Sequence, residues 1–203
     1  YNPLNKKEIL RLSKKQKNFN FFYNKNFFRV MSMGRLVDQK DFITFLKAIK
    51  IARKKIKIKG VIIGSGILKK ELKKYINKNE LQKNVKIINY QKNPYKYLKF
   101  ADIFILSSKF EGLPNVLLEA TTLKIPIISS DCKTGPREIL QSNKGGLLFK
   151  VGNSKELAKK ILYSEDNYKI MKKKINFSFN TLHRFDEKLN LKKYLDLINL
   201  HLK

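Results

Sequence analysis

Two spacings alternate along the chain. Short apolar runs of strand character are each followed by segments whose apolar residues recur every three to four positions. Phe28-Arg29-Val30-Met31-Ser32-Met33 predicts a first strand, Ile58 to Ile63 a second, Val85 to Ile88 a third and Ile103 to Leu106 a fourth. Ile125-Pro126-Ile127-Ile128-Ser129 predicts a fifth, with its proline at the start, where a missing N–H is tolerated. Leu147 to Phe149 predicts a sixth. Phe42, Phe45, Leu46, Ile49 and Ala52 mark a helix running from Asp41 to about Lys54. Further helices are expected over Leu68 to Ile76, near Tyr95 to Phe100, from Pro114 onward and around Pro136 to Leu140. The chain ends in three more, Ser154 to Tyr163, Tyr168 to Ile175 and Asp186 to Leu202. Strand–helix repetition with uninterrupted apolar strands implies a parallel sheet covered on both faces, a doubly wound, Rossmann-like α/β domain of about six strands. In such sheets a ligand sits beyond the carboxyl ends of the strands.

The pattern divides the chain into residues 1–26, a polar, lysine-rich connecting segment; residues 27–163, the α/β domain; and residues 164–203, C-terminal helices. Ile9, Leu10 and Leu12 give the first segment a short helical pattern, expected to lie outside the core. The opening Tyr1-Asn2-Pro3-Leu4 lacks an initiator Met and is expected to be the middle of something longer.

Composition changes this picture in two places. With 203 residues and 42% hydrophobic content the chain can bury one good core with a helical appendage. No apolar run approaches the roughly 20 residues of a membrane span and no secretory signal opens the chain, so a cytoplasmic location is expected. Cys132 is the single cysteine, which suits a reducing compartment. Against 16 acidic residues stand 45 Lys and Arg, a net charge of +29. Such an excess points to nucleic acid or an anionic membrane surface. The lysines are spread along the chain rather than massed in a tail, and they come with abundant Asn and Ile, a mix that nucleotide bias in a coding genome produces. Two readings stand side by side: mostly bland surface lysine, or peripheral attraction to an anionic bilayer. No specific nucleic acid is expected, because arginine is the better fork for bidentate recognition and lysine dominates here.

Candidate chemistry concentrates in Phe110-Glu111-Gly112-Leu113-Pro114-Asn115-Val116-Leu117-Leu118-Glu119-Ala120. It follows the fourth strand and Ser107-Ser108, turns at a glycine and opens a helix near a proline. Free N–H groups at a helix N-terminus suit a phosphate. Glu111 before the turn and Glu119, about two turns into the helix, repel phosphate, so sugar hydroxyls are their expected partners. Gly34-Arg35-Leu36 with Lys40 follows the first strand and brings two cations suited to a diphosphate. Gly64-Ser65-Gly66 follows the second strand; a tight turn is expected there, since Lys69 occupies the place of the third glycine of a dinucleotide fingerprint. The loop Tyr90-Gln91-Lys92-Asn93-Pro94 offers amides and carbonyls to a base edge. In Thr134-Gly135-Pro136-Arg137-Glu138, the Thr134 hydroxyl and backbone N–H groups would contact donor phosphate or sugar, and Glu138 would support a helix first turn. His183 and His201 lie in the terminal helices, far along the chain from these loops, and no metal-ligand cluster is visible.

Taken together, Gly34-Arg35-Leu36 with Lys40, Glu111 to Glu119 with seven residues between, and Thr134 to Glu138 resemble the family-4 glycosyltransferases of GT-B fold, over nearly all of Phe27 to Leu162. The resemblance is to the C-terminal, donor-binding half. It implies transfer of a sugar from a nucleotide donor with retention of configuration and no required metal or other cofactor. It makes Arg35 and Lys40 the cations that neutralise the departing diphosphate. Glu111 would bind the transferred sugar and Glu119 the ribose. The backbone of Gly112, Leu113, Pro114, Asn115 and Val116, with Gly34, Thr134 and Gly135, would complete the donor site. The N-terminal acceptor-binding half is missing from this pattern, so the chain alone is expected to bind donor and turn over poorly or not at all. A glycan or lipid-linked acceptor is expected. A sugar-nucleotide epimerase of similar fold and a basic nucleic-acid-binding module are the alternatives; the latter predicts steeply salt-dependent binding indifferent to Glu119→Ala.

Overall fold

The computed structural model describes residues 4–15 and 18–201. Tyr1-Asn2-Pro3 and Leu202, the expected end of the last helix, lie outside them. Six parallel strands form one sheet: β1 (Phe28–Met33), β2 (Ile58–Ile63), β3 (Val85–Ile88), β4 (Ile103–Leu106), β5 (Ile127–Ser130) and β6 (Leu147–Phe149). Five of the six match the apolar runs residue for residue. The fifth starts after Pro126, whose carbonyl still accepts the Phe104 N–H at 2.8 Å but which has no N–H to return.

The strand order is β3-β2-β1-β4-β5-β6. Successive side chains of each strand point to opposite faces, and two cores follow from that alternation. Met31, Met33, Val61, Ile63, Phe104, Leu106 and Ile127 belong to one; Val30, Ile58, Ile62, Ile103, Ile105 and Ile128 belong to the other. The second face is covered by α2 (Phe42–Ala52), α3 (Lys69–Lys78) and α7 (Ser154–Asp166). The first is covered by α1 (Lys6–Ser13), α4 (Tyr95–Leu98), α5 (Asn115–Thr122), α6 (Pro136–Ile139) and α8 (Tyr168–Asn180). Several helix starts are written in single residues. Asn5, Asp41 and Asn153 each accept a first-turn N–H with the side chain, at 3.0, 3.1 and 3.0 Å. The last helix, α9, spans Glu187–His201. No helix among the described residues is long and apolar enough to cross a membrane.

The first segment departs from expectation. It does form the helix that Ile9 suggested, but Leu4, Ile9, Phe19 and Phe22 are all buried in the first core, so the segment is part of that core rather than outside it. Phe19 packs edge-on against Phe22 and Tyr97, with ring centroids 5.2 and 5.0 Å apart. These anchors are too widely spaced to leave a periodic signal.

At the opposite end of the sheet from the site described below, Asp102 accepts the Arg29 backbone N–H at 2.8 Å and its guanidinium at 2.8 and 2.5 Å. The pair ties β1 to the start of β4. Asp102→Ala leaves a mostly buried arginine without its carboxylate and is expected to cost about 2 kcal/mol, or roughly 4–8 °C of thermal midpoint, in a melt.

Candidate functional site

The strand order reverses beside β1, which has β2 on one side and β4 on the other. Loops leaving β1 and β4 turn in opposite directions there and open a crevice, the place where open α/β sheets bind ligands. Three loops on one side are stitched together. Leu36 N–H donates to Ser65 C=O at 2.9 Å, and Tyr90 N–H donates to Ser65 Oγ at 3.1 Å. Gly64 must be glycine, since a Cβ would lie 1.9 Å from the Gly34 carbonyl oxygen. The expected tight turn is therefore present, and its Gly64 and Ser65 also line the crevice.

Between these loops and α5 lies a cavity of about 330 Å³. Met33, Ile63, Pro94 and Val116 give it apolar walls, Tyr90 and Gln91 stand on the third loop, and Gly34, Arg35 and Glu119 bring polar groups. The volume falls in the ordinary range for a small-molecule site. Tyr90 is 71% exposed at its edge. Arg35 is exposed, and its guanidinium makes no ion pair or hydrogen bond among the described residues.

Glu119 is the fifth residue of α5, just over one turn in rather than two, because the helix begins at Asn115 with Pro114 as its cap. Burial pushes its carboxyl above the ordinary value of 4.5, while a hydrogen bond with Tyr95 pulls the other way. Burial, then the neighbouring Glu119, raises the Tyr95 phenol in turn. No side chain caps α5, so its first turn faces the crevice with backbone groups.

Lys40 and Glu111, both assigned to ligand in the sequence, meet each other. Lys40 Nζ lies 2.5 Å from Glu111 Oε1, with the side chains 15% and 8% exposed. Ser108 Oγ donates to the same Oε1 at 2.6 Å, and Oε2 has no partner among the described residues. The Lys40 stem passes Gly34 closely enough that a Cβ there would sit 3.4 Å from it. The 3-10 turn Asp38–Lys40 is bound to the loop after β4: Ser107 Oγ donates to Lys40 C=O at 2.9 Å and Lys109 N–H to Gln39 C=O at 2.8 Å.

Thr134 and Gly135 stand behind this group. Thr134 Oγ1 donates to the Glu111 carbonyl at 2.6 Å, and Gly135, at φ +80°, rests against Gly112. Gly112 is exposed and has open space where a Cβ would point. Leu113 packs on the first core, Pro114 is buried, and Asn115 is exposed. Of the candidates, Gly34, Arg35, Val116 and Glu119 line the cavity itself, while Lys40, Glu111, Thr134 and Gly135 form a linked group next to it. His183 is exposed on the 3-10 turn Leu182–Phe185, hydrogen-bonded to the Asn180 carbonyl. No group of three or more His, Cys, Asp or Glu among the described residues is arranged to hold a metal ion. Ser108 and Tyr95, which hold the two glutamates, were missed as site residues. A hydroxyl at a strand end before a glycine turn is the one signal that pointed at Ser108.

Known proteins resemble this chain in sequence and in fold. The family model for glycosyl transferases group 1 matches residues 13–180. An uncharacterized glycosyltransferase of Methanocaldococcus jannaschii is 46% identical over 117 residues, 57% of this chain and 29% of the relative. N-acetylgalactosamine-N,N'-diacetylbacillosaminyl-diphospho-undecaprenol 4-alpha-N-acetylgalactosaminyltransferase of Campylobacter jejuni is 35% identical over 128 residues, 63% of this chain and 34% of the relative. The chain thus spans about a third of the length of these relatives. Among solved structures, a mutant of S. aureus TarM in complex with Fondaparinux, alpha-GlcNAc-glycerol and UDP superposes with a TM-score of 0.79 and 26% identity, covering 87% of this chain and 37% of that one. With its six-stranded fold and with the family model matching most of its length, the chain belongs to the glycosyl transferases group 1 family.

Proposed function

We propose that the chain is the donor-binding half of a family-4, GT-B glycosyltransferase that moves a sugar from a nucleotide diphosphate to a glycan or lipid-linked acceptor, with retention. One observation carries the reading. An apolar-walled cavity at the strand-order reversal has Arg35 on one side and Glu119 on the other, with Lys40 and Glu111 beside it. A nucleoside fits the cavity, its base along Tyr90 and Gln91 and its ribose hydroxyls on Glu119. The diphosphate then reaches the uncapped start of α5, over Gly112, Leu113, Pro114, Asn115 and Val116, within range of Arg35 and Lys40. Glu111 Oε2 faces the sugar. When the bond from the sugar to the diphosphate breaks, negative charge grows on the leaving phosphate oxygen, and the two cations Arg35 and Lys40 stabilise it without a metal. Thr134 and Gly135 support the turn that carries Glu111.

The acceptor site belongs to a missing N-terminal domain, so the chain by itself binds donor and transfers little. The named Campylobacter relative motivates a lipid-linked acceptor. With a net charge of +29, peripheral contact with an anionic membrane at its cytoplasmic face fits that acceptor.

Ligand-observed NMR against UDP-, GDP- and ADP-sugars tests the reading, starting with UDP because TarM was solved with it. Binding of none would falsify it. Arg35→Ala is expected to leave the melt unchanged, since the side chain is exposed and unpaired, and to weaken nucleotide binding about tenfold through one lost charge-assisted contact.

A further inference from the structure

The Lys40–Glu111 pair poses a physical problem for any diphosphate. Both groups suit a ligand, yet each already satisfies the other. Their anchoring differs. Glu111 is held by its backbone, through Thr134 Oγ1 on its carbonyl, and by its carboxylate, through Ser108 Oγ at 2.6 Å. Ser108 is fully buried, and its own carbonyl accepts Ser130 Oγ at 2.7 Å and Cys132 Sγ at 3.2 Å. Glu111 is therefore tied to β4 and β5 by a buried frame. Among the described residues the Lys40 ammonium is held by Glu111 alone, at the end of a flexible stem. When a ligand arrives, Lys40 is the half that moves.

We propose that this pair makes the site prefer a sugar-bearing nucleotide over the free nucleoside diphosphate that transfer leaves behind, an inference that rests on the donor-site reading above. A free diphosphate that draws Lys40 away leaves a carboxylate only 8% exposed with a single neutral donor, Ser108, which is costly. A nucleotide sugar draws Lys40 with the same diphosphate, but its hydroxyls occupy the place on Glu111 that Lys40 vacates. The two ligands share every nucleotide contact and differ in whether the buried carboxylate is left wanting. Glu111 thus acts as a counter-ion that the sugar can replace and the product cannot.

The test is a double-variant cycle by calorimetry on the 203-residue chain. UDP, GDP and ADP are titrated first, and the tightest is carried forward with its N-acetylglucosamine or glucose conjugate. Glu111→Gln is expected to bind the free nucleoside diphosphate about tenfold more tightly, because Lys40 no longer has to be taken from a charge. The conjugate's advantage over it should disappear. In the Lys40→Met background, Glu111→Gln should change nucleoside diphosphate affinity by less than about twofold. Ser108→Ala keeps both charges but removes the one donor left to Glu111 when Lys40 departs, and should widen the preference for the conjugate; it remains informative if Lys40→Met melts too low to use. Unchanged or weaker diphosphate binding by Glu111→Gln overturns the inference. So does a gain that persists with Lys40→Met, which would reflect general charge rather than the pair. Failure of the unmodified chain to bind any of the three removes the donor-site reading and this inference together; binding without response to Glu111→Gln removes this inference alone.

Discussion

The Glu119→Gln chain is expected to melt higher than the unmodified chain at pH 7 and to bind nucleoside diphosphate about ten- to a hundredfold more weakly. The two effects have one cause. Burial holds the Glu119 carboxyl above its ordinary value of 4.5, so the folded chain keeps the proton to higher pH than the unfolded chain does. Folded stability is therefore undiminished below about pH 4.5. It falls as pH rises through the raised value, and above that value the cost of burying the charge is present in full. Glutamine carries no charge, keeps an acceptor for Tyr95 and escapes that cost, so its advantage vanishes in melts at pH 4. The same buried carboxylate is the acceptor assigned to the ribose, and an amide oxygen accepts more weakly than a carboxylate. Affinity of the unmodified chain should accordingly fall as pH drops through the raised value, with the Glu119→Gln profile flat across that range. A lower melt at pH 7 would contradict the burial argument, and unaltered affinity would remove Glu119 from the site.

Gly135→Ala should be severely damaging. Gly135 adopts φ +80°, which side chains rarely tolerate, and an added Cβ would lie 1.8 Å from the Gly112 carbonyl oxygen. Neither turn can yield cheaply, because Thr134 is bonded to Glu111 and Pro114 is buried beside them. A loss of about 3 kcal/mol is expected in urea or thermal unfolding, with nucleotide binding reduced at least tenfold as the start of α5 shifts. Gly112→Ala is the control. Its Cβ meets nothing within 4 Å, so the fold should change by less than about 1 kcal/mol. Equal melts for the two variants would show that the close approach has no energetic weight.

Much of the fold could be read because its determinants are local. Five strands were located to the residue since buried parallel strands are uninterrupted apolar runs. Helix positions followed from the spacing of apolar residues such as Phe42, Phe45, Leu46 and Ile49. The N-terminal segment could not be read that way. Leu4, Ile9, Phe19 and Phe22 are scattered through polar sequence at no regular period, and only the fold gathers them into the first core. At the site, the glycine turn, the two glutamates and the two cations were all visible, but their pairing was not. Glu119 meets Tyr95 and Lys40 meets Glu111 across 24 and 71 positions of sequence, as 119 minus 95 and 111 minus 40.

The sequence by itself therefore determined the six strands, their parallel layering and the residues available for chemistry, since periodicity, capping and turn preference act over a few neighbouring positions. Only the tertiary structure decided which of those residues meet. Placing β4 beside β1 carries the loop of Glu111 to the loop of Lys40, and a cation that looked free for phosphate becomes the partner of a nearly buried carboxylate. Charge pairing depends on distance in space, and the strand order that sets that distance leaves no local trace.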